Sequence, residues 1–126
     1  MKIPVAVLAA TLALAPAAAF AHGQPPAAAH GGQVQDAHGS WVELVVHGDQ
    51  VEIYVMDEHG GPVSAALVSG TATVMVDGQP QRVQLSSAEG NELTGRLAKP
   101  ASGKTVATVS LKIGGKAATA RFSSAG

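Results

Sequence analysis

Alternating apolar residues on either side of Gly48-Asp49 constrain this chain more than any other feature. Val42, Leu44 and Val46 occupy every second position before the pair, and Val51, Ile53 and Val55 do so after it. A period of two with a two-residue turn between the runs predicts a β-hairpin. The register follows: Val46 faces Val51, Leu44 faces Ile53 and Val42 faces Val55. All six then share one face, and a slip of one residue would turn them all outward. Glu43 opposite Tyr54, and Trp41 opposite Met56, fall on the other face.

The same reading runs down the chain. Asp57 to Pro62 is rich in turn residues, and Asp77-Gly78 and Gly114-Gly115 mark two further hairpins. Around Gly114-Gly115, Leu111 faces Ala118, Val109 faces Ala120 and Ala107 faces Phe122. Strands are predicted over 71–76, 81–85, 92–97, 105–113 and 116–122. No amphipathic helix is evident, and Ala65 to Val68 is ambiguous. Seven short strands with regular turns predict one small antiparallel all-β sandwich or barrel of about immunoglobulin size. Its core is expected to be Val, Leu, Ile and Ala, with Trp41 and Phe122 as the large pieces.

The first 21 residues are expected to lie outside the fold. Lys2 precedes an apolar run, Ile3 to Leu14, that is too short to span a bilayer, and Ala19-Phe20-Ala21 offers small residues for cleavage. Cleavage after Ala21 would make His22 the first residue, in the bacterial periplasm. Residues 22–37, with Pro25-Pro26 followed by Ala27 to Ala29, are expected to be a flexible histidine-containing linker. Residues 38–126 form the β-domain in this reading. The chain has no cysteine, so an exported domain of this size must rely on its core.

Charge is segregated along the chain. No lysine or arginine occurs between His22 and Gln81, whereas all five histidines and seven of the nine carboxylates do. From Arg82 onward seven bases face only Glu89 and Glu92. One half therefore looks built to meet a cation, since imidazole is the commonest metal ligand. The plainer account is that the two halves neutralise each other across one domain. Scattered bases and few aromatics disfavour nucleic acid. No nucleophile constellation or phosphate-cradling loop is present, so catalysis is not expected.

The metal-ligating candidates are His22, His30, His38, Met56, Asp57 and His59. A terminal His22 would offer its amine and its ring as a chelate for Cu(II). Met56, beside Trp41, offers a thioether suited to Cu(I). His22, His30 and His38 also read as a solvated linker that happens to carry histidine. Met56 with Trp41 reads more simply as a packing contact, and Asp57 to His59 as an ordinary turn.

Two resemblances bear on these residues. Asp57-Glu58-His59 followed by Pro62-Val63-Ser64 is locally similar to the Asp-x-His motif of periplasmic copper-resistance C-type proteins. In that family the motif comes late in the domain. The wider pattern is His30-Gly31-Gly32, Trp41-Val42-Glu43-Leu44-Val45, Tyr54-Val55-Met56-Asp57, Gly61-Pro62-Val63, Gly90 to Gly95 and Lys116 to Phe122. It resembles the small amino-terminal β-domain of heavy-metal efflux adaptor subunits. That resemblance implies a free-standing periplasmic relative that binds or delivers a metal, copper first, and works with an efflux adaptor or other envelope protein. No insertion into the membrane is expected after processing. The alternative is a protein-interaction module that docks on an envelope complex without a metal.

Overall fold

The computed structural model describes residues 23–102 and 105–123, so the expected signal segment, including its cleavage site, and His22 lie outside the described residues. Among the described residues the protein is all-β, with eight antiparallel strands. They are β1 (Gln33–Ala37), β2 (Ser40–His47), β3 (Gln50–Met56), β4 (Val68–Val76), β5 (Gln79–Ser87), β6 (Glu92–Arg96), β7 (Val106–Ile113) and β8 (Lys116–Ser123). The ambiguous 65–68 stretch opens as a turn of 3-10 helix, Ala65–Leu67, capped by the Ser64 hydroxyl. No helix among the described residues is long and apolar enough to cross a membrane.

The strands run in the order β1-β2-β3-β6-β5-β4-β7-β8, and the sheet curls until β1 lies against β8. Two places keep it from closing fully. Only Ser86 and Ser87 of β5 pair with β6. At the β1–β8 seam the Thr119 N–H of β8 donates to Nδ1 of His38, in the turn after β1, at 3.2 Å. Pro80, which has no N–H to give, sits on the stretch of β5 that has no β6 partner.

Both predicted hairpin registers are found residue for residue, Val46 with Val51 through Val42 with Val55, and Leu111 with Ala118 through Ala107 with Phe122. The inner face closes over Val42, Leu44, Val51, Ile53, Val55, Leu93, Val74, Val109 and Phe122. Small residues let the strands approach. A Cβ on Gly70 would lie 2.2 Å from the Ser110 carbonyl oxygen, a backbone atom with no room to yield.

Three expectations meet a different outcome. Gln33–Ala37 lies in the stretch expected to be linker, yet it pairs with β2 along its whole length. The residues before it are also placed: Pro26 is half-buried, within contact reach of the turn at Gly60. Trp41 is buried but stands apart from the inner core, on the outer face opposite Met56. The third is Glu43, placed outward by alternation and found only 1% exposed.

Candidate functional site

The outer face of β1, β2, β3 and β6 carries the ionisable side chains. Register sets them in rows about 7 Å apart along the strands. One row is Asp36, Trp41 and Met56; the next is Val34, Glu43, Tyr54 and Glu92; then come Val45, Glu52 and Thr94, and last His47, Gln50 and Arg96.

Glu43 anchors this face. Its carboxylate accepts from His30 N–H at 2.9 Å, from Gly32 N–H at 3.0 Å and from the His30 ring at Nδ1, 2.9 Å away. Burial alone would raise its pKa, but these hydrogen bonds and the adjacent imidazole outweigh burial and hold the group below the ordinary glutamate range. Glu43 is therefore ionised at neutral pH and can only accept.

That fixes the tautomer of His30. Nδ1 must carry the proton, so the neutral ring keeps its lone pair at Nε2. The ring also lies flat on Tyr54, with centroids 3.6 Å apart and planes 4° from parallel. The side chain remains 42% exposed. A carboxylate that takes one ring N–H while the other nitrogen stays available is how proteins aim a metal-binding histidine.

Tyr54 extends the network. Its hydroxyl lies 2.9 Å from both Glu92 and Glu52, and its one proton serves either carboxylate. Desolvation first, then these two carboxylates, push its pKa well above the usual tyrosine range, so it stays protonated. His47 Nε2 meets the other oxygen of Glu52 at 3.2 Å. Two histidines, three carboxylates and a tyrosine are thus linked on one face.

The remaining candidates lie elsewhere. His38, in the β1–β2 turn with a positive φ of 49°, accepts through Nδ1 and so uses its lone pair inside the fold. Asp57 takes the backbone N–H groups of His59 and Gly61, each at 2.9 Å. The His59 ring is 85% exposed and faces Glu58 at 3.4 Å. The Asp57-Glu58-His59 stretch is thus a turn in which the backbone of His59, and not its ring, meets the aspartate. Met56 shares the outer face with His30, one row beyond Tyr54. Among the described residues, no three His, Cys, Asp or Glu side chains are grouped to hold a metal ion by themselves. A cleft at the β1–β8 seam is lined by Gly31, Gln33, Leu44, Val46, Ala101, Phe122 and others, with no titratable side chain among the described residues that line it.

Sequence reasoning singled out His30 but not Glu43, Tyr54, Glu52, Glu92 or His47 as its companions. The usable signal was the Glu43–Tyr54 pairing, already implied by the hairpin register.

The segregated charges are scarcely paired in direct contact. Arg96 to Asp49, at 3.8 Å, is the single ion pair between a base and an acid other than those of histidine, among the described residues. Comparison with protein-family models, with curated proteins and with solved structures found no match.

Proposed function

We propose that this protein is an exported, non-catalytic cation-binding domain with His30 Nε2 as its fixed donor. Copper is the first candidate, and a role in metal handling beside an efflux adaptor or another envelope protein follows from the resemblance. The supporting observation is the Glu43–His30–Tyr54 arrangement, which sets the tautomer and clamps a ring whose side chain stays 42% exposed. Nitrogen and oxygen donors favour Cu(II) among the common divalent ions, and Met56 on the same face supplies a softer atom. His22 lies eight positions before His30 and would bring an amine and a second imidazole.

Calorimetric titration of protein beginning at His22 tests this. Copper should bind with sub-micromolar affinity, about 8 kcal/mol or better, and more weakly as the solution is acidified, because a ligand imidazole must be neutral. His30→Ala should weaken binding at least tenfold. Met56→Leu should weaken Cu(I) and spare Cu(II), whereas a residue added before His22 should weaken Cu(II) alone. Binding no tighter than that of a scrambled 22–35 peptide would refute the proposal and favour the metal-free docking module.

A further inference from the structure

The other half of the barrel has an outer face of opposite character. Strands β4, β5, β7 and β8 contain no aspartate or glutamate, and their outer face carries Arg82, Lys112 and Arg121. Strands β1, β2, β3 and β6 carry Asp36, Glu43, Glu52 and Glu92 against Arg96 alone. The molecule is therefore bipolar, and the segregation along the sequence becomes a segregation in space.

Register arranges the basic face. At one end of the barrel Pro80, Met75 and Val106 stand side by side. Met75 is 37% and Val106 44% exposed, and they are two of the three large apolar side chains left in solvent among the described residues. The next row, about 7 Å along the strands, is Arg82, Thr73, Thr108 and Arg121. Behind it come Gln84, Thr71, Ser110 and Thr119, then Ser69 and Lys112. Both arginines are exposed. The acidic group nearest this end in sequence is Asp77, in the β4–β5 turn.

We propose that this face docks on an anionic bilayer surface. Pro80, Met75 and Val106 enter the interfacial layer while Arg82 and Arg121, one row back, reach the lipid phosphates, with Lys112 adding charge further out. An apolar tip with cations a few ångströms behind it matches the depth profile of a bilayer, where acyl chains lie beneath phosphates. The acidic face of a second copy is a poorer match. Its Glu43, Glu52 and Glu92 are already hydrogen-bonded to His30, His47 and Tyr54.

Flotation with vesicles tests the docking, using protein that spans residues 22–126. Vesicles of mixed phosphatidylglycerol and phosphatidylcholine should carry the protein, and pure phosphatidylcholine should not. Raising salt from about 0.05 M to about 0.5 M should release it, as screening shortens the reach of the arginines. Arg82→Glu with Arg121→Glu should lower partitioning at least tenfold. Met75→Ser with Val106→Ser should lower it severalfold on the same vesicles, with the circular dichroism of both variants unchanged. Equal binding to neutral and anionic vesicles, or no loss on charge reversal, would overturn the proposal. So would retention on immobilised polyglutamate without vesicle binding, which would mark the face as a site for an acidic protein.

Discussion

Replacing Glu43 with alanine should cost about 3 kcal/mol of folding stability, measured by urea denaturation. The carboxylate is 1% exposed and satisfies two backbone N–H groups and one ring N–H. Removing it leaves these donors without their acceptor and releases the chain before β1. Glu43→Gln keeps the shape and one carbonyl acceptor, so about half of that loss is expected. The carboxyl titrates below the ordinary glutamate range in the folded protein, so its contribution is fully present above the unfolded pKa. It is lost as pH falls through the folded value. The gap between wild type and Glu43→Gln should therefore be constant near neutrality and shrink below about pH 4.5. A gap that stays flat down to pH 3 would mean that Glu43 is held by shape rather than by charge.

A second large loss is expected at Ile53. It is fully buried between Leu44 on β2 and Leu93 on β6. Ile53→Ala should cost about 4 kcal/mol, from lost transfer energy and the cavity left behind. The core is rich in valine and alanine, and few long side chains nearby can fill the space. Equilibrium urea curves for Ile53→Ala and for the nearby outward-facing Thr94→Ala would separate core from surface. A loss under about 1 kcal/mol at Ile53 would be incompatible with the packing described.

The hairpins at Gly48-Asp49 and Gly114-Gly115 were legible because their information is local. Val42 to Val55 fixes its own register through a two-residue turn and strict alternation, and Leu111 to Ala118 does the same. Strand β1 was not legible for the opposite reason. Its sequence, Gln-Val-Gln-Asp-Ala, has little β propensity, and it becomes a strand only because β2 offers an edge and Glu43 clamps His30 and Gly32 just ahead of it. Burial of Glu43 depends on the same contact. Alternation assigns a residue to a face, but it does not say what later covers that face. One trace was present: Gly32 sits where a Cβ would lie 2.2 Å from the Leu44 carbonyl oxygen, so the glycine marks a close crossing. The site was half legible. His30 was a candidate by type, and the row Glu43–Tyr54 followed from register. Their meeting with His30 required a tertiary contact across thirteen residues.

Glu43 fixes His30 with its proton on Nδ1 and its lone pair free at Nε2. Long-range proton–nitrogen correlation NMR of the histidine rings reads this directly, with Zn²⁺ as a diamagnetic stand-in for Cu(II). At neutral pH the predicted spectrum shows His30 as the Nδ1–H tautomer, and addition of Zn²⁺ moves the Nε2 resonance of that ring. An Nε2–H tautomer at His30, or a ring whose nitrogens do not respond to the metal, would contradict the account.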